Sequence, residues 1–98
     1  MKIGFADKRL KELSRTGPGE PSKYFQPKVA LTIHMRLTVL SAANDLAQVA
    51  SANPSWRVHA WNGRKNYWSI DITGNTRLLF DYDKKAKEIA NMIYDDPH

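Results

Sequence analysis

The chain has 98 residues, which is one domain, short of the size at which chains split. With 42% hydrophobic and 26% charged residues, and only five Gly and five Pro, it has the composition of an ordered fold rather than of a disordered segment. It contains no cysteine, which excludes a disulfide scaffold, a thiol nucleophile, an iron–sulfur cluster and a Cys-based zinc site, and suits a reducing compartment. No apolar run approaches the ~20 residues of a membrane span. The opening Met1-Lys2-Ile3-Gly4-Phe5-Ala6-Asp7-Lys8-Arg9 turns charged at once, unlike a signal peptide. A cytoplasmic chain with no membrane partner is expected. Fifteen Lys and Arg against ten Asp and Glu leave a net charge of +5. A basic surface attracts polyanions, nucleic acid first among them.

Lys2 to Phe5 is a short candidate strand. Asp7 suits the N-cap of a helix through Leu13, with Ala6, Leu10 and Leu13 at helical spacing. Thr16-Gly17-Pro18-Gly19-Glu20-Pro21 breaks the chain and forms a loop. A longer helix is expected from Pro27, which suits a first helical position, to Ala42. Its stripe is Val29, Ile33, Leu37 and Leu40, widened by Ala30 and Val39. Lys28 and Arg36 fall off this stripe and are expected in solvent. His34, beside it, reads as a packing or surface residue rather than a ligand. Asn44-Asp45 starts a short helical turn through Leu46, Val49 and Ala50, which Asn53-Pro54 stops.

From Trp56 the apolar period changes to two. Trp56, Val58 and Ala60 alternate with Arg57, His59 and Trp61. After Asn62-Gly63, a strong tight-turn dipeptide, Trp68, Ile70 and Ile72 alternate with Tyr67, Ser69 and Asp71. Past Thr73-Gly74-Asn75, Leu78, Phe80 and Tyr82 alternate with Arg77, Leu79 and Asp81. Asp83-Lys84-Lys85 makes a third turn, and a last strand runs from Ile89 to Ile93. The order β-α-α followed by four strands implies an α+β fold, with helices covering one face of an antiparallel sheet.

If Trp68, Ile70, Ile72, Leu78 and Phe80 lie under the helices, the other face presents Tyr67, Ser69, Asp71, Arg77 and Leu79. Arg57, His59 and Trp61 can share that face, with Arg64 and Lys65 at the turn beside it. Basic residues interleaved with aromatics bind phosphates and stack bases. They also occur on the solvated face of an ordinary packed sheet, and Asp71 is placed to pair with Arg77.

At this point the chain resembles the HigB-like plasmid-maintenance killer proteins, toxins of type II toxin–antitoxin pairs in the RelE/ParE superfamily. The resemblance covers most of residues 1–98 as a single domain. It begins with Ile3-Gly4-Phe5-Ala6-Asp7-Lys8-Arg9-Leu10 and continues through Leu37-Thr38-Val39-Leu40-Ser41-Ala42-Ala43-Asn44-Asp45-Leu46. Its strongest part is His59-Ala60-Trp61-Asn62-Gly63-Arg64, Trp68-Ser69-Ile70-Asp71-Ile72 and Gly74-Asn75-Thr76-Arg77-Leu78-Leu79-Phe80. These look like the family's "H-x-L-x-G", "W-S-I-R-V" and "N-x-x-W-R-I-x-F" elements. Two departures stand out. Asn62 occupies a position where family members often carry lysine. Asp95 and Asp96 fall near the family's terminal Tyr-His.

The resemblance implies a RelE/ParE-like fold, with an N-terminal strand and two to three helices on one face of the sheet. It implies a metal-independent, cofactor-free endoribonuclease that cuts mRNA on the ribosome and inhibits translation. The 2′-hydroxyl attacks the adjacent phosphate, leaving a 2′,3′-cyclic phosphate and a 5′-hydroxyl. Such a site needs a base, an acid and cations for the crowded phosphate. Arg77 matches the family's arginine before the final core Phe and is expected to clamp the phosphate, for which a planar guanidinium is suited. His59 matches the histidine before the glycine turn and is expected to act as acid or base. Tyr94 and His98 are the remaining catalytic candidates, and Arg57, Trp61, Arg64 and Lys65 the RNA-binding ones. The implied partners are the ribosome, mRNA and a HigA-like antitoxin with a helix-turn-helix domain, operator DNA being reached only through the antitoxin. Two alternatives share the fold: a ParE-like inhibitor of DNA gyrase without nuclease activity, and a catalytically weak RNA-binding relative.

Overall fold

A computed structural model describes residues 1–97. A first strand, β1 (Lys2–Phe5), leads into α1 (Lys8–Leu13), α2 (Pro27–Ala42) and α3 (Leu46–Ala52). A 3-10 turn at Pro54–Trp56 follows, then β2 (His59–Ala60), β3 (Tyr67–Asp71), β4 (Arg77–Asp83) and β5 (Glu88–Asp95). The strands form one sheet in the order β1-β5-β4-β3-β2. Among the described residues, no helix is long and apolar enough to cross a membrane.

The helices start where short polar side chains or proline permit. Asp7 caps α1, its Oδ1 accepting from the Arg9 backbone N–H at 3.0 Å. Pro27 occupies the first turn of α2, where a missing N–H costs nothing. Asp45 Oδ1 accepts from Gln48 N–H at 2.8 Å, and Gln48 Oε1 reaches back to the Asn44 N–H at 2.8 Å, a near relative of the capping box. The apolar stripe of α2 then buries Ala30, Ile33, Leu37 and Leu40. They pack with Leu10, Leu46 and Val49 against Ile70, Leu78, Phe80, Ile89 and Met92 of the sheet. Each of these side chains larger than alanine contributes roughly 1.5–3 kcal/mol by leaving water.

Four expectations need correction. The sheet is mixed rather than antiparallel, because β1 runs parallel to β5, pairing Lys2 with Glu88 and Ile3 with Ile89. A parallel neighbour needs a long crossover, and here the three helices and the meander supply it. The strand expected from Trp56 shrinks to His59–Ala60. Pro54 nucleates a 3-10 turn, the Arg57 N–H closes it on the Pro54 carbonyl at 3.3 Å, and Arg57 turns left-handed at φ 51°. Arg36 is half-buried rather than solvated. Its guanidinium lies 4.1 Å from the centre of the Trp56 ring and its Nε donates to the Asp71 carbonyl at 3.3 Å. Finally, Asp71 lies opposite Arg77 but takes its ion pair from Arg57, at 3.7 Å.

Candidate functional site

Strand register assembles the open face of the sheet in three rows. His59 pairs with Ser69, Ser69 with Leu79, and Leu79 with Ile93. On one side of this middle row, the Trp61 N–H donates to the Tyr67 carbonyl at 2.7 Å, and Tyr67 pairs with Asp81. On the other side, Asp71 pairs with Arg77 and Arg77 with Asp95. Side chains directly across such a ladder share a face. His59, Trp61, Tyr67, Ser69, Asp71, Arg77 and Leu79 are therefore neighbours on the side away from the helices. Arg57 and Arg64 reach the same face through their partners, Asp71 and Asp81.

The arginines stack as well as pair. The Arg64 guanidinium lies 3.9 Å from the centre of the Tyr67 ring and 3.0 Å from Asp81. The Arg77 guanidinium lies 5.2 Å from the Trp61 ring and 3.3 Å from Asp95. Trp61 and Tyr67 meet edge to face at 6.4 Å. Arg77 and Trp61 rise from rows on either side of the middle one, so their contact bridges it. Leu79 beneath is 6% exposed and Ser69 is fully buried. Among the described residues, the Ser69 hydroxyl has no hydrogen-bond partner.

His59 has a defined tautomer. Its Nδ1 lies 2.7 Å from the Arg57 carbonyl, which can only accept, so Nδ1 carries the proton. The lone pair of an exposed imidazole is left on Nε2, the form that accepts a proton from a substrate hydroxyl. Tyr67 is the phenol on this face. Burial pushes its pKa up, Arg64 opposes this, and the Asp81 and Asp95 carboxylates add to it, so Tyr67 stays a neutral phenol at pH 7. Lys65 is exposed on the turn and lines a shallow pocket with Asn66, Asp81 and Asp83.

Tyr94 does not join this site. It pairs with Leu78, a core residue, so it points to the helix side. Its ring meets Phe25 edge to face at 5.0 Å, with the Arg9 guanidinium 5.6 Å away. The alternation of β5 brings Asp95 beside Arg77 instead. His98, the other C-terminal candidate, lies outside the described residues. Alternation already puts Ser69 on this face, but Asp81 and Asp95 as the partners of Arg64 and Arg77 are what the sequence alone does not reveal. The signal was present in the parity of 77, 79 and 81 across from 95 and 93, but it is usable only once the register of β5 is fixed.

The open face is close to charge-balanced, although the chain is basic. Each of Arg57, Arg64 and Arg77 has an aspartate partner. Residues 1–36 carry eight basic and three acidic side chains, which accounts for the whole net charge, while residues 37–98 carry seven of each. The excess cations therefore belong to β1, α1, the following loop and α2. Among the described residues, no three His, Asp or Glu side chains gather where they could hold a metal ion. Compared with family models and with curated proteins, the chain has no match in either.

Proposed function

We propose that this chain is an RNA-cleaving toxin of a type II toxin–antitoxin pair, of HigB-like, RelE/ParE-superfamily type, acting in the cytoplasm on ribosome-bound mRNA. The observation that carries the reading is the open sheet face, where Arg57, His59, Arg64 and Arg77 sit with Trp61 and Tyr67. His59 Nε2 takes the proton of the attacking 2′-hydroxyl. Arg77 releases Asp95 and grips two oxygens of the scissile phosphate, holding the charge that builds as the 2′-oxygen attacks. Arg57, Arg64 and Lys65 hold the flanking backbone, and bases stack on Trp61 and Tyr67. The proton for the departing 5′-oxygen comes from His59 in its protonated form, or from water. A helix-turn-helix antitoxin of HigA type neutralises the protein.

One observation favours a second reading. The aspartate partners of Arg57, Arg64 and Arg77 balance the charge of this face, which suits a protein target better than a polyanion. A ParE-like toxin that inhibits DNA gyrase fits such a surface. Expression without antitoxin separates the two. A nuclease depletes mRNA and leaves DNA damage signalling silent, whereas a gyrase inhibitor does the reverse.

A further inference from the structure

The unexplained atom on the open face is Ser69 Oγ. A buried hydroxyl without a partner is unfavourable, and native folds keep few of them. The surroundings explain how it stays unpaired. Across the ladder on either side stand His59 and Leu79. Over the row lies the contact between Arg77 and Trp61, held from the outer side by Asp95. None of these links is strong. An ion pair whose partners are both about a third exposed (32% each) and a cation–π contact near solvent are each worth little. The cover over Ser69 therefore opens at small cost when something draws the guanidinium away.

We propose that Ser69 is a phosphate-binding residue, hidden beneath an Arg77–Trp61 lid that the phosphate itself opens. This rests on the reading of the open face as a phosphate-binding surface. A phosphate competes with Asp95 for Arg77, because it offers the same bidentate oxygen geometry with more charge. Once Arg77 turns to it and leaves Trp61, the row beneath is uncovered. Ser69 Oγ then donates to a phosphate oxygen, and the hydroxyl unsatisfied in the free protein gains its partner. The site thereby comprises Arg77 from β4, Ser69 from β3 and His59 Nε2 from β2. Trp61, released, is free to stack on a base.

The test uses inorganic phosphate as the probe and NMR as the readout. In the wild-type protein, phosphate is expected to shift the Trp61 indole N–H and the Arg77 Nε–H together, as the contact between them breaks. Ser69→Ala is expected to bind phosphate about tenfold more weakly, the loss of one hydrogen bond to a charged group. Its melting temperature is expected to stay level or rise, because an unsatisfied buried group has been removed. A merely structural serine gives the opposite pattern, lower stability with unchanged binding. Trp61→Ala, followed at Arg77, is expected to bind about threefold more tightly, because no cation–π contact has to be broken. Ser69→Ala binding phosphate like the wild type overturns the proposal. So does phosphate that shifts Arg77 without moving Trp61. These outcomes are independent of RNA cleavage: a protein that binds phosphate in this way and cuts no mRNA sinks the nuclease reading alone.

Discussion

The two faces of the sheet use the same materials to different ends. On the helix side, Arg9 lies between Phe25 and Tyr94, 5.8 and 5.6 Å from the ring centres, and pairs with Asp7. On the open side, Arg77 and Arg64 lie against Trp61 and Tyr67 and pair with Asp95 and Asp81. The difference is in how completely the carboxylates are engaged. Asp7 accepts from the Arg9 N–H, Nε and Nη2 and from the Tyr94 N–H, all between 2.8 and 3.0 Å. It caps α1, and with the Arg9 Nη2 bond to the Tyr94 carbonyl at 3.1 Å it ties the N-terminus to β5. Asp95 meets Arg77 at 3.3 Å, and Asp71 meets Arg57 at 3.7 Å. Saturated, the motif is a structural lock. On the open side Asp71 and Asp95 hold their arginines by longer, more exposed pairs, whereas Asp81, which also accepts from Asn91 Nδ2 at 2.9 Å, is the better engaged of the three.

The largest effect expected from this contrast is on stability. Asp7→Ala removes a cap and the acceptor of the Tyr94 N–H, and is expected to cost about 1–3 kcal/mol. Asp95→Ala is expected to cost well under about 1 kcal/mol, as exposed pairs do. Urea denaturation of the two variants checks this directly, and equal losses would dissolve the distinction.

Acid provides the next test. Burial works against the Asp7 carboxylate, but its bonds to Arg9 and the Tyr94 N–H outweigh that and hold its pKa below the ordinary 3.8. A group with a depressed folded pKa contributes stability that is complete above the unfolded value and disappears as pH falls through the folded one. Wild-type stability should therefore fall away below about pH 4, with Asp7→Asn lacking that part of the dependence. Unfolding free energies measured at a series of acidic pH values report it.

The smallest effect concerns the open face. Arg57→Ala is expected to leave stability unchanged and to lower the log–log salt slope of single-stranded RNA binding by about 0.7, one phosphate contact. An unchanged slope, measured by fluorescence anisotropy across a salt series, would remove Arg57 from the interface.

Much of the fold was legible in the chain itself. The stripe from Val29 to Leu40 is long and periodic, Pro27 and Asp7 mark helix starts, and Asn62-Gly63 and Gly74-Asn75 separate strands by local chemistry. What escaped was non-local or a matter of one residue. The β1–β5 pairing joins residues more than eighty positions apart, which no local pattern encodes. The facing of Tyr94 depends on a register shift between β4 and β5 near Leu79 and Asp81, where Asn91 adopts φ 54°. A slip of one residue turns every side chain to the other face, so Asp95 rather than Tyr94 stands by Arg77. Arg57 was lost to the strand because Pro54 favours a turn over extension. Alternation placed His59 and Arg77 on one face and the turn placed Arg64 beside it, whereas Arg57 reaches that face through Asp71 and not through a strand. The aspartate partners of these arginines were not legible, since pairing depends on which strands become neighbours.

Cleavage of ribosome-bound mRNA by the purified protein, compared with Arg77→Ala, tests the central claim most directly. The open face as a cleavage site predicts cut products ending in 2′,3′-cyclic phosphate and 5′-hydroxyl, and a loss of about 10²–10³-fold in rate on removing the arginine that holds the phosphate charge. Intact mRNA with the wild-type protein, or equal cleavage by Arg77→Ala, would contradict it.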